Sequence, residues 1–276
     1  SGGMNGTYQI QPSISAMDIN SYKELLEKFY ETHKKNNTLN EFEKEGLKHF
    51  NFLKNGTNDG KSYGLKQFSI NFDDKNYFKR ENNKKNIAIF PGSNWEYIAF
   101  SQGLTNMNNE NFNQYDILEK ILENRIIKDN FNLYVRWHPF LEKSGPKEKI
   151  KIDEIKNKYN HVNFYLPNSK INSYNLIEFS DIVISFGSTI GVEATLYGKP
   201  SILFGRTFWE DSGAAHKVNK IDDLLDLLKK NSLKPKPYLN ALKEGYYQRH
   251  RGQEVFKYVR TDNQLRYYLN NKRIKN

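Results

Sequence analysis

Between Ser180 and Phe204 the chain reads Ser-Asp-Ile-Val-Ile-Ser-Phe-Gly-Ser-Thr-Ile-Gly-Val-Glu-Ala-Thr-Leu-Tyr-Gly-Lys-Pro-Ser-Ile-Leu-Phe, and no other stretch restricts its fold as tightly. An apolar run suited to a buried strand breaks at Phe186-Gly187-Ser188-Thr189. A helical segment follows to Tyr197, and Gly198-Lys199-Pro200 turns the chain into a second apolar run. The pattern predicts a βαβ unit with a small, hydroxyl-bearing turn at the carboxyl end of its first strand. In open α/β sheets ligands sit at such turns, where the first N–H groups of the following helix attract anions. The expected ligand group is a phosphate.

The same alternation recurs upstream. Strand patterns at Ile87–Phe90, Leu133–Trp137 and Val162–Tyr165 are followed by helical patterns around Gln114–Lys128, near Glu148–Lys158 and at Ser173–Phe179. An amphipathic helix is predicted at Ile221–Lys230. Repeated strand-then-helix units imply an α/β fold with a Rossmann-like, doubly wound parallel sheet over residues 85–234. Residues 4–84 show no such alternation. Helical spacing at Ser21–Lys34, with Leu25 and Phe29, and at Leu39–Lys54, with Phe42, Leu47, Phe50 and Leu53, predicts a helical hairpin followed by a polar connector, Asn55–Asn83. Residues 235–276 read as a C-terminal helical extension rich in aromatic residues. Ser1-Gly2-Gly3 before Met4 reads as a cloning remnant and is left out of the fold.

Composition narrows the class of function. The 276 residues contain no cysteine, which excludes a disulfide framework and thiolate metal or redox chemistry and fits a cytoplasmic setting. No secretory signal is evident, and no apolar run approaches the roughly 20 residues of a membrane span. Lys and Arg exceed Asp and Glu by 42 to 32, for a net charge of +10. That balance favours an anionic partner: a phosphorylated metabolite, nucleic acid or a membrane surface.

Four strand-end loops are expected to meet on one edge of the sheet. Gly187, Ser188 and Thr189 offer hydroxyl and N–H donors to a phosphate; alternatively one hydroxyl only caps the helix. Glu193, one helical turn beyond Thr189, is placed to accept ribose hydroxyls. His138 ends a strand and Pro139 holds it extended, so its imidazole can donate to a phosphate oxygen or protonate a departing one. Arg136 is expected on the other sheet face in a structural pairing. The loop Pro91–Glu96, with Gly92 and Ser93, can approach a phosphate but lacks the Gly-x-x-x-x-Gly-Lys-Ser/Thr spacing of a P-loop. Glu96 reads either as a catalytic carboxylate or as a salt-bridge partner. Asn168, Ser169 and Ser173 can read a nucleobase edge or serve as ordinary turn and cap residues. No His/Cys/Asp cluster has metal-ligand spacing, so no metal is expected, and no cofactor beyond the nucleotide-bearing substrate.

Taken in order, Phe90-Pro-Gly-Ser-Asn-Trp-Glu96, Val135-Arg-Trp-His-Pro139, Leu166-Pro-Asn-Ser-Lys-Ile-Asn-Ser-Tyr174 and Phe186-Gly-Ser-Thr-Ile-Gly-Val-Glu-Ala-Thr-Leu-Tyr-Gly-Lys-Pro200 resemble the carboxyl-terminal, donor-nucleotide half of GT-B glycosyltransferases of bacterial capsular-polysaccharide biosynthesis. The resemblance covers roughly residues 85–250. It implies a metal-independent glycosyltransferase taking a nucleotide-sugar donor, with cytidine the favoured base, CMP- or CDP-linked. It also implies His138, Ser188 and Thr189 as donor-binding groups and a glycan acceptor as partner. A GT-B enzyme has two Rossmann-like domains and only one is legible here, so an N-terminal acceptor domain of the same protein is the expected missing partner. Peripheral association of the whole enzyme with the inner face of the cytoplasmic membrane fits the basic charge. The alternatives are a polyol-phosphate transferase using the same site, and a basic module binding RNA or an anionic glycan through the Tyr246–Tyr268 segment. On the transferase reading no nucleic-acid partner is expected.

Overall fold

The computed structural model describes residues 19–55, 78, 83–92, 113–229, 233–250, 259–261, 267–269 and 272–273. The chain divides into two compact units, one of Asn71–Ala241 and one of Ser1–Ile70 with Leu242–Asn276.

In the first unit a six-stranded, all-parallel sheet is built from β1 (Lys85–Phe90), β2 (Phe131–Arg136), β3 (Val162–Tyr165), β4 (Ile182–Ser185), β5 (Ser201–Phe204) and β6 (His216–Val218), in the order β3-β2-β1-β4-β5-β6. The chain starts in the middle, winds outward to β3, then returns to the far side of β1 and winds outward again. The direction of winding therefore reverses between β1 and β4, the crevice where doubly wound sheets hold their ligands. Register brings Phe90 beside Ser185, Arg136 beside Tyr165 and Ser185 beside Leu203, so the carboxyl ends lie along one edge.

One sheet face buries Ile87, Ile89, Leu133, Val135, Ile184 and Ile202 with Leu118, Ile121 and Leu122 of α3 (Gln114–Glu123), Ile127 of α4 (Arg125–Asn130), Ile152 and Ile155 of α5 (Pro146–Lys158) and Leu224 of α8 (Ile221–Lys229). The alternate strand residues Ala88, Tyr134, Val183 and Leu203 are buried too. Tyr134 packs edge-on against Phe179 of α6 (Ser173–Phe179), with ring centroids 5.3 Å apart. Coverage on both sides explains why these strands read as continuous apolar runs. Completing the sheet layer, α7 (Ile190–Leu196) links β4 to β5.

In this unit two features depart from the sequence expectation. The helix predicted through Gln114–Lys128 is broken at Asn124, which is extended (ψ 120°) and whose Oδ1 accepts from the Ile127 amide at 3.2 Å to cap a new helix. β6 was not anticipated, since three residues carry too little pattern to reveal a strand. The connector Asn55–Asn83 lies largely outside the described residues, as do residues 1–3.

The second unit contains α1 (Ile19–Lys35), α2 (Leu39–Asn55) and, from Leu242 on, α9 (Tyr238–His250). Tyr22 donates to Glu244, Lys243 Nζ reaches Glu27 at 2.6 Å, and Arg249 Nε reaches Glu45 at 3.0 Å, so α9 is tied to both hairpin helices. The N-terminal hairpin and the C-terminal segment, legible in sequence only as separate extensions, thus form one body. Beyond α9 the tail adds short antiparallel strands β7 (Val259–Thr261), β8 (Tyr267–Leu269) and β9 (Lys272–Arg273), which helical reading of the tail had not included.

Candidate functional site

β4 delivers the chain to the reversal point. Phe186 continues the pairing by donating its amide to the Phe90 carbonyl at 3.1 Å. Gly187 then turns with φ +79°, a left-handed value that a Cβ disfavours. Its carbonyl is held by Thr207 Oγ1 at 3.1 Å and Trp209 Nε1 at 3.0 Å, both from the loop after β5. With that carbonyl turned toward the β5 loop, the N–H groups of Gly187, Ser188 and Thr189 donate no hydrogen bond among the described residues. Three consecutive unengaged donors on a fixed turn attract an oxyanion.

The two hydroxyls differ. Ser188 Oγ accepts from the Ile190 amide at 3.4 Å, leaving its proton available to a ligand. Thr189 makes no cap bond and instead donates to Glu193 Oε1 at 3.3 Å. Glu193 is 5% exposed; burial pushes its carboxyl above the usual range, against the opposing hydrogen bonds from Tyr174 and Thr189. Both donors occupy carboxylate lone pairs that a ribose would use. Of the two predicted hydroxyl donors, Ser188 is the one that donates to no partner among the described residues.

His138 follows β2 with extended backbone (ψ 132°), and Pro139 opens a short 3-10 turn, Pro139–Lys143. The imidazole Nδ1 accepts from the Phe140 amide at 3.2 Å, which assigns the ring proton to Nε2. Burial, reinforced by the Arg136 guanidinium, lowers its pKa to about 4. The ring is therefore neutral near pH 7 and presents a hydrogen-bond donor rather than an acid. Arg136 is 4% exposed and among the described residues bonds only carbonyls: Nη1 to Trp137 at 2.9 Å and Leu166 at 2.5 Å, and Nη2 to Ser169 at 3.2 Å. It ties the end of β2 to the loop after β3.

On that loop Asn168 is exposed and the Ser169 amide donates to the Leu166 carbonyl at 2.9 Å. Ser173 opens α6, but the capping side chain is Asn172, whose Oδ1 accepts from the Tyr174 amide at 2.8 Å. After β1, Pro91 and Gly92 are buried, and Gln114 Nε2 fixes the Gly92 carbonyl at 3.1 Å. Ser93 and Glu96 lie outside the described residues. Gln114, Tyr174, Thr207 and Trp209 were not singled out from sequence, because each acts through a contact distant in the chain.

His138 and the Gly187 turn stand on either side of β1. At about 4.8 Å per strand their strand ends are about 10 Å apart, too far for one phosphate but within the span of a nucleotide. Among the described residues no cluster of His, Cys, Asp and Glu can hold a metal ion, and no helix is long and apolar enough to cross a membrane.

The profile of a family described as capsule polysaccharide biosynthesis protein matches residues 27–226. Among solved structures, the chain is similar to KpsC of Thermosulfurimonas dismutans, beta Kdo 2,7 transferase (19% identity over 73% of this chain and 54% of that one, TM-score 0.36). It is also similar to the beta Kdo 2,4 transferase of KpsC from the same organism (14%, 75% and 55%, TM-score 0.41) and to S. aureus MnaA in a co-structure with UDP (15%, 67% and 46%, TM-score 0.39). The chain spans about half the length of these structures. No curated protein matches it.

Proposed function

The chain belongs to the family of capsule polysaccharide biosynthesis proteins, and from that premise we propose that its parallel sheet is the donor-nucleotide half of a GT-B glycosyltransferase. Its ligand is a nucleotide-activated sugar, with CMP- or CDP-linked donors favoured, and its acceptor is a growing glycan. The observation that carries this reading is the Gly187–Ser188–Thr189 turn at the β1/β4 reversal, with three amides and one hydroxyl unengaged among the described residues.

In the reaction an acceptor hydroxyl attacks the anomeric carbon, and the bond to the donor phosphate breaks. Negative charge grows on the leaving phosphate, where the turn's N–H groups and Ser188 Oγ–H stabilise it more strongly than in the ground state. His138, neutral with its proton on Nε2, serves as a hydrogen-bond donor to another part of the same nucleotide, about 10 Å away on the other side of β1. Glu96, which follows β1 in the sequence and lies outside the described residues, is a proposed catalytic carboxylate. The acceptor-binding wall and the general base would come from a second domain, and the site would work on the cytoplasmic side, without a metal.

Calorimetry with CMP, CDP, UMP, UDP, GDP and ADP tests the reading. Cytidine nucleotides are expected to bind tightest, and absence of binding by every nucleotide at millimolar concentration overturns it.

A further inference from the structure

A second cation stands beside the turn and has no part in the site described above. Arg206 lies two residues beyond the end of β5, in the loop whose Thr207 and Trp209 side chains grip the Gly187 carbonyl. Its Nε is held by both carboxylate oxygens of Glu210, at 2.8 and 2.6 Å. The Glu210 side chain is only 2% exposed and also receives the Thr207 amide at 3.1 Å and Lys217 Nζ at 3.0 Å, so it is a fixed anchor. Arg206 itself is 31% exposed, and its Nη1 and Nη2 groups have no partner among the described residues.

Two carboxylates, Glu210 and Asp211, balance Arg206 and Lys217 here, so net charge is not what distinguishes the position. Geometry does. A guanidinium anchored through Nε keeps its two-nitrogen end free for a paired contact, and an anchored fork loses less conformational entropy on binding than a loose one.

We infer that Arg206 forms a second oxyanion position next to the Gly187–Thr189 turn, taking an anionic group carried by the transferred end of the donor. This rests on the nucleotide reading above. The shared chemistry is an oxyanion that accepts two parallel N–H bonds, from either the second phosphate of a nucleoside diphosphate or the carboxylate of an acidic sugar on a nucleoside monophosphate.

Calorimetry on the full chain and on Arg206→Gln, with CMP, CDP and CMP-N-acetylneuraminate, separates these sources. The wild type is expected to bind CDP or the acidic sugar nucleotide about 10- to 100-fold tighter than CMP. Arg206→Gln should abolish that advantage while CMP affinity stays within about threefold. Which of the two ligands carries the advantage identifies the source. A wild type that binds neither tighter than CMP overturns the inference, as does an advantage that survives in folded Arg206→Gln. Should Arg206→Gln fail to fold, Arg206→Lys, which keeps the charge but not the fork, must lose most of the advantage. Binding of no nucleotide at all defeats the nucleotide reading itself; inorganic pyrophosphate then decides, since the oxyanion position requires that it bind the wild type and not Arg206→Gln.

Discussion

Ser188 and Thr189 are adjacent and chemically alike, yet their hydrogen bonds assign them different work. Ser188 donates to no partner among the described residues, whereas Thr189 donates to Glu193. Ser188→Ala is therefore expected to weaken nucleotide binding about 10- to 100-fold, the loss of a bond to a charged group, and Thr189→Ala no more than about fivefold, with both variants folded. Calorimetry beside thermal melts checks this, and equal losses would refute the distinction. His138 makes a prediction in pH. Its folded pKa near 4 lies below the ordinary 6.5, so the unfolded chain takes up a proton that the folded chain refuses. Stability should fall as pH drops from 6.5 to 4, by up to about 3 kcal/mol from this ring, and the ring's contribution should level off below that. An NMR titration of the ring, with denaturant melts of wild type and His138→Gln across the same window, measures it. A midpoint near 6.5 would show that the ring is not held neutral.

Among the elements, α2 and α9 meet where neither helix has a side chain. A Cβ on Gly245 would stand 2.4 Å from the Gly46 carbonyl oxygen and 2.6 Å from a Phe50 ring carbon, while one on Gly46 would stand 2.7 Å from the Leu242 carbonyl oxygen. Two of these obstacles are backbone, which cannot swing aside. In an isolated helix Gly→Ala gains about 1 kcal/mol of helix propensity. Forcing these helices apart typically costs about 1–3 kcal/mol or more and also strains the buried Tyr22–Glu244 bond and the half-buried Arg249–Glu45 bond. Because the nearest obstacle to a Gly245 Cβ is backbone, the cost belongs at the upper end of that range, about 3 kcal/mol, and Gly245→Ala is expected to destabilise by about 2 kcal/mol net in denaturant melts. An unchanged or raised stability would mean that the close approach does not hold.

For the whole molecule the net charge of +10 raises the question of which anion it serves. A mononucleotide in a strand-end site engages few charges, so its affinity should fall only a few-fold between about 50 and 200 mM salt. A chain binding RNA through six to ten phosphates would lose about 10³- to 10⁵-fold over that range. Salt titrations with CMP and with a single-stranded oligonucleotide distinguish the two; tight, steeply salt-dependent oligonucleotide binding with no CMP binding would favour the basic-module alternative.

The alternation of apolar runs with helical spacing was sufficient to read a doubly wound sheet, and the Val162–Tyr165 strand and Ser173–Phe179 helix lie at the residues the pattern marks. The Gly187 turn and His138 were legible because the signals are local: a break after a strand, a proline after a histidine. What local pattern could not contain was decided by contacts between distant residues. Gly187 is set by Thr207 and Trp209, Gly92 by Gln114, and the proton of Thr189 by Glu193, which Tyr174 also holds. The hairpin of α1 and α2 joins α9 across some two hundred residues. Side-chain periodicity reports which face of an element is buried; only the closed fold determines which donor meets which acceptor, and with it which groups are left free to meet a ligand.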